Sequence, residues 1–230
     1  MAAHLVVALS SHGFGHIGQS APVIAALRER LPDLRVTLRT AAPHFKLLER
    51  FGGQIGISSV ATDVGMVQRD AQCIAWEAST RAYLEFHLDW DHRVEEEAWV
   101  LRELRADALL ANVPYLALAG AQRAGIPSLA LCSINWMDIY AHYFSMRPEA
   151  PILLEQMRRA YTSARAFLQP TPSMPMPQLD NRRVIGPICQ RGRSRRAWFV
   201  ERLGLQTNER LVMVSLGGME LRPLVEQWPT

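Results

Sequence analysis

The sequence predicts an α/β protein: a Rossmann-like parallel sheet flanked by helices, followed by a second domain that is begun but not completed. Three observations carry that prediction. Short apolar runs alternate with stretches whose apolar residues recur at helical spacing, the rhythm of a βαβ chain. The first run opens straight into a glycine- and histidine-rich turn and then a helix. A second apolar run near the end, residues 211–216, again leads into a glycine pair, Gly217-Gly218.

Residues 5–9 are the first strand, and residues 22–31 a helix with Pro22 near its first turn, where a missing N–H costs nothing. Residues 34–40 alternate as a second strand, 43–51 form a short helix, and 54–60 are a third strand after the Gly52-Gly53 turn. Residues 71–105 are helical and charged, with Trp76, Tyr83, Phe86, Trp90 and Trp99 read as core aromatics and 95–97 as a solvated acidic face. A fourth strand at 107–111, a helix at 115–124 ended by Gly125, and a fifth strand at 128–133 entered through Pro127 complete the first sheet. Pro170, Pro172, Pro175, Pro177 and Pro187 then interrupt regular structure, so a domain boundary is expected within 170–192. Residues 198–203 are helical; too few residues follow Gly218 to finish a sheet, so the second domain is expected to be truncated or completed by a partner, for instance by a homodimer through the unfinished strand.

Bulk composition narrows the classes. Hydrophobic residues make up 49% and charged ones 20%, ordinary globular usage. Lys plus Arg exceed Asp plus Glu by only 25 to 22, too weak a field to argue for a nucleic-acid or membrane-surface partner. The positive charge is local: Arg182, Arg183, Arg191, Arg193, Arg195 and Arg196 fall in a stretch without an acidic residue, which reads as a solvated linker. Three cysteines with no close pairing fit reduced thiols and offer no metal-ligand spacing, so no metal is expected. The start has neither a basic leader nor an apolar run long enough to span a membrane, and a cytoplasmic location is expected.

The candidate site is the loop at 11–18, in which Ser11, His12, Gly13, Phe14, Gly15, His16, Ile17 and Gly18 link a strand to a helix start. Free amides and the helix dipole there favour an anionic or hydroxyl-bearing ligand, and glycines let it approach the backbone. Gly13, Gly15 and Gly18 also fit the G-x-G-x-x-G dinucleotide fingerprint, but the acidic residue expected about 20 positions on is missing, so only an NADP reading through Arg39 survives. His16 suits proton abstraction from a hydroxyl better than it suits a pyrophosphate, although a capping or packed histidine is the alternative.

With Pro22 and Leu27 behind it, the run from Gly13 to Ile17 resembles the acceptor-side loop of glycosyltransferases with the B-type fold. Further along, Asp63-Val64-Gly65, Gln68 and Asp70, the stretch 106–121, Ser133-Ile134-Asn135-Trp136, Asp138-Ile139-Tyr140 and Tyr143 resemble the glycosyltransferase-like half of plant L-arabinokinases. The resemblance covers roughly the whole chain. It implies two Rossmann-like domains facing a cleft, the first for the acceptor and the second for a nucleotide-sugar donor used as co-substrate, with no tightly bound cofactor. On that scheme residues 1–175 are the acceptor-side domain, 176–192 a Pro/Arg-rich linker and 193–230 the start of the donor domain, with Gly217 and Gly218 on the donor; the chain alone is then not competent for turnover.

The resemblance also makes His16 the general base on the acceptor hydroxyl. Its orienting carboxylate, expected after the fourth strand, is replaced by Asn112, leaving Asp63, Asp70 and Asp138 as substitutes, with Asp138 taken as catalytic alongside His16. Asn135, Trp136 and Tyr140 follow the fifth strand at the ligand-binding edge of such sheets. Together with His12, Gly13, Phe14, Gly15, Gln68 and Asn112 they are candidates for a sugar or other hydroxyl-bearing acceptor. Trp136 and Tyr140 are equally placed, at i and i+4, to pack as core. A non-catalytic sugar-binding or scaffold module is the rival reading.

Overall fold

The computed structural model describes residues 2–70, 72–190, 192–206 and 208–213. Its central strand is β1 (His4–Leu9), which pairs in parallel with β2 (Arg35–Arg39) on one side and β4 (Ala108–Asn112) on the other. Beyond β2 lies β3 (Gly56–Ser58); beyond β4 come β5 (Ser128–Leu131), β6 (Phe167–Pro170) and β7 (Arg182–Ile185). The sheet is parallel throughout, in the order β3-β2-β1-β4-β5-β6-β7.

A parallel sheet needs cover on both faces, and β1 reads as continuously apolar for that reason. Val6 and Ala8 point into one core with Leu109, Ala111 and Phe167, while Val7 and Leu9 point into the other with Leu38 and Leu110. Helices α1 (Gly15–Arg30) and α2 (His44–Phe51) close the second face through Ile17, Ile24, Leu47 and Phe51. The first face is closed by α3 (Trp76–His87), α4 (Trp90–Glu103), α5 (Tyr115–Ala124), α6 (Trp136–Phe144) and α7 (Ala150–Ser163). Gly125, with φ +72°, ends α5 in the left-handed conformation glycine tolerates.

Several elements depart from the sequence reading. α1 starts seven residues before Pro22, at Gly15, and the proline lies inside the helix; the carbonyl four residues back belongs to Gly18, whose lack of a side chain leaves space there. The helical stretch 71–105 is two helices, broken at Leu88 and Asp89, and the break lets the His87 and Trp90 rings stack 5.0 Å apart. Of its aromatics Tyr83 is fully buried, but Trp76 and Trp99 are more than half exposed and are not core.

Within the stretch 176–192 expected to be linker the chain instead forms β7 of the first sheet, and β6, not read from the sequence, ends where the prolines begin. Pro170 ends β6 and β7 is the outermost strand, positions where a missing N–H is tolerated. Arg182 and Arg183 are therefore solvent-facing residues of an edge strand, where charge discourages pairing with another chain. α8 (Arg196–Leu203) follows, close to the expected helix. Residues 211–213 form no strand, and the rest of the second apolar run, with Gly217 and Gly218, lies outside the described residues. No helix among the described residues is long and apolar enough to cross a membrane.

Candidate functional site

Strand order reverses between β1 and β4, and in open parallel sheets the crevice beyond the carboxyl ends at such a switch point is where ligands bind. The loop 11–18 follows β1 and Asn112 ends β4, so the fold brings both to that point. Gly13 turns the loop with φ +84°, and α1 begins with no side chain capping its first amides. Phe14 packs toward α2, with the Lys46 Nζ 5.7 Å from its ring centroid, and Gly15 has open space where a side chain would stand.

His16 is buried, and its hydrogen bonds fix its tautomer. The Asn112 Nδ2 donates to Gln19 Oε1 (3.3 Å) and Ser20 Oγ (3.1 Å), so Asn112 Oδ1 faces the ring as an acceptor. His16 Nδ1 therefore carries the proton and donates to Asn112 Oδ1 at 2.9 Å. Nε2 keeps its lone pair, has no partner among the described residues and is not sealed from solvent. Burial lowers the pKa of the ring; the Asn112 bond and the Asp63 carboxylate oppose that shift, and His12 adds to it. Cys132 Sγ lies 3.7 Å from Nδ1, and burial pushes its thiol up to about 12, so it stays neutral.

His12 is differently employed. Its Nε2 accepts the Gly65 amide at 3.2 Å, which leaves Nδ1 to donate to Ser10 Oγ at 3.2 Å, and neither nitrogen is free to take a proton from a ligand. Gly65 has to be glycine: a Cβ there would fall 2.6 Å from the Trp136 ring and 2.9 Å from His12. Trp136 stands edge-on to His12 at 4.9 Å between centroids and donates Nε1–H to Asp63 Oδ2 at 2.7 Å.

A crevice of about 540 Å³ opens in front of these rings. Met66, Ile74, Trp136, Ile139 and Met174 give it apolar walls; His12, Gln68, Asp138 and His142 supply polar groups, and Tyr143 closes one side. Asn135 caps α6: its Oδ1 accepts the Asp138 amide (2.8 Å) and its Nδ2 donates to Asp138 Oδ2 (2.8 Å). That reciprocal cap fixes the wall of the crevice and stabilises the helix by about 1 kcal/mol.

No protein-family model matches the chain. Among curated proteins, L-arabinokinase of Arabidopsis thaliana is 26% identical over 220 residues, which covers 94% of this chain and 21% of that protein. Among solved structures, a UDP-glucosyltransferase from Polygonum tinctorium capable of glucosylating indoxyl superposes with a TM-score of 0.53 at 16% identity, over 90% of this chain and 56% of that one. The glycotransferase of kitacinnamycin gives 0.53 at 17% identity (84% and 53% of the two chains), and UGT2 of Phytolacca americana 0.51 at 16% (87% and 55%). The fold is that of the B-type glycosyltransferases. The chain spans about a fifth of the arabinokinase and a little over half of each of these structures.

Within this B-type fold the residues singled out from sequence divide. His12, Gln68, Trp136 and Asp138 line one crevice; the His16 ring, bonded to Asn112, lies 6.4 Å from the Trp136 ring, whose Nε1–H Asp63 accepts, and Asn135 bonds Asp138. Tyr140 does not join them: it is buried against Tyr83 and Phe144, the packing alternative for a residue one helical turn after Trp136. Asp70 lies in an exposed turn, where its Oδ1 accepts the Gln72 and Cys73 amides, away from the crevice walls. Asp138 and His142 form no ion pair; the His142 ring turns toward Tyr143 instead.

Arg39 is also accounted for. It is buried, donates Nε–H to Glu97 Oε1 at 2.9 Å and Nη1–H to Ser58 Oγ at 3.0 Å, and pairs its Nη2 with Glu97 Oε2. A guanidinium so committed cannot receive a 2′-phosphate, and the NADP reading loses its one support. Missed from sequence were Met174 and Met66. Met174 falls among the prolines where the domain boundary was expected, yet its Sδ accepts the Asn135 amide and it lines the crevice.

Proposed function

We propose that this chain is the acceptor-side portion of a nucleotide-sugar-dependent glycosyltransferase that transfers a sugar to a hydroxyl acceptor, with no tightly bound cofactor. One observation carries the reading: at the switch point of the sheet, His16 holds its proton on Nδ1 against Asn112 and keeps Nε2 free. Nε2 takes the proton from the acceptor hydroxyl, and the oxygen so freed attacks the anomeric carbon of the donor. The bond from that carbon to the nucleoside diphosphate breaks, and the diphosphate leaves with the electron pair. A buried, neutral imidazole is the form a base must start in. The crevice in front of Trp136 receives the acceptor, and donor binding is assigned to the residues after the basic stretch, Gly217 and Gly218 included.

The test is release of nucleoside diphosphate from a panel of nucleotide sugars and hydroxyl acceptors by the full-length protein. His16→Ala is expected to lower turnover by about 10² to 10⁴-fold, the usual worth of a positioned base, with its circular dichroism unchanged. Full activity in that variant overturns the assignment.

A non-catalytic sugar-binding module is the second reading, favoured by the uncharged Asn112 where an orienting carboxylate would support an imidazolium. Its signature is saturable sugar binding without turnover of any nucleotide sugar.

A further inference from the structure

Taking up a proton is made difficult for His16 by its surroundings. The ring is buried in the first turn of α1, where the helix dipole disfavours a cation, and its hydrogen-bond partner is neutral. The groups that face it are Asn112 at the end of β4, Cys132 after β5, His12 in its own loop and Asp63 from the segment after β3. Asn112 and the Cys132 thiol bring no charge, and His12 acts against protonation. Only Asp63 acts in favour by charge.

Asp63 has no other evident employment. It is 3% exposed, makes no salt bridge among the described residues, and uses only Oδ2, which accepts the Trp136 Nε1–H. Its Oδ1 is buried and has no hydrogen-bond partner among the described residues. The Trp136 ring it holds lies 6.4 Å from the His16 ring and 4.9 Å from His12. Next to it, the Thr62 carbonyl accepts the Leu116 amide, which places Asp63 beside the start of α5, while Trp136 opens α6; both helix N-termini favour an anion. The other two carboxylates are engaged elsewhere, Asp70 in its exposed turn and Asp138 in the α6 cap.

We propose that Asp63, seated behind Trp136, is a positioning residue that supplies the negative charge compensating the His16 imidazolium, the task Asn112 cannot perform. Its catalytic meaning rests on the reading of His16 as the base; the charge coupling itself is a property of the fold. The acceptor's proton would then enter a pair, His16 after β1 with Asp63 after β3, linked through the indole of Trp136.

Ring nitrogens of ¹⁵N-labelled histidine are followed by NMR from about pH 9 to about pH 4 in the 230-residue chain. Asp63→Asn keeps an acceptor for the Trp136 N–H and is expected to lower the His16 midpoint by about one unit or more, a tenfold loss of proton affinity. Asp138→Asn is expected to leave it in place. An unmoved midpoint in Asp63→Asn, or a larger shift in Asp138→Asn, overturns the proposal.

Should Asp63→Asn fail to fold, the unaltered chain decides: the Asp63 carboxyl carbon must show an inflection at the His16 midpoint, and a flat trace refutes the coupling. Turnover separates this proposal from the functional reading. If His16→Ala remains active while Asp63→Asn still shifts the midpoint, the glycosyltransferase assignment fails and the coupling stands. If His16→Ala is inactive and the midpoint does not move, the coupling alone fails.

Discussion

Asn112 sets the character of the site more than any residue beside it. Its amide sorts its own donors and acceptor: two N–H groups engage Gln19 and Ser20, one oxygen engages His16, and that arrangement dictates which imidazole nitrogen is free. An aspartate would keep the acceptor and add the charge, while Gln19 and Ser20 can each turn a donor toward the second oxygen. Asn112→Asp is therefore expected to raise the His16 midpoint by about 1 to 3 units, the usual effect of an adjacent opposite charge. A ¹⁵N titration of the ring checks it, and an unchanged midpoint would mean that the two side chains do not meet as described. The loop at 11–18 was legible in the sequence because glycines and histidines between a strand and a helix leave local marks, and Asn112, at the end of β4, came only through the resemblance. Asp63 was one of three carboxylates offered there, and the sequence could not rank them, because nothing in it says that an indole from residue 136 will link positions 63 and 16.

Elements hold the site by how closely they approach. Where α4 crosses α5, Gly120 makes room for Glu97: an added Cβ would fall 2.5 Å from Glu97 Cγ and 3.2 Å from the Ala98 amide. Glu97 in turn binds the buried Arg39 guanidinium at the end of β2, so one small residue on α5 governs an ion pair across the core. Gly120→Ala is expected to destabilise the protein by about 3 kcal/mol, overpacking combined with displacement of a buried charge from its partner. Urea midpoints of the variant and the unaltered chain measure it; a change under about 0.5 kcal/mol would show that α4 gives way freely. The sequence foretold β1 to β5 and a helical connection after each of the first four, since each carries its own periodicity, but it merged α3 with α4 and started α1 too late. It left β6 unassigned and concealed β7, which lies in the stretch read as linker; edge position, not propensity, permits a strand there. Met174 was lost with them.

For the molecule as a whole, two histidines whose pKa burial lowers, His16 and His87, make acid the weak flank. Burial lowers the pKa of His16, and it lowers His87, wedged between Gln156 and the Tyr115 hydroxyl, from 6.5 to about 4. The unfolded chain therefore binds more protons than the folded one in that window. Stability is full above about pH 6.5 and falls as pH drops toward 4, by on the order of 3 kcal/mol at most for His87 at 1.36 kcal/mol per unit. Denaturation midpoints at a series of pH values are expected to fall less steeply in His87→Gln; identical slopes would assign the acid sensitivity elsewhere. The parallel order of the sheet has a consequence of another kind. β1 is made about a hundred residues before its inner neighbour β4; the backbone amide of His4 meets the Asp107 carboxylate across a separation of 103 positions. Until residue 112 has emerged, the apolar strand β1 has one flank unpaired. Closing so long a loop is slow, so refolding from denaturant should be limited by the docking of β1 on β4, and the nascent chain should be most prone to aggregate in the interval before it.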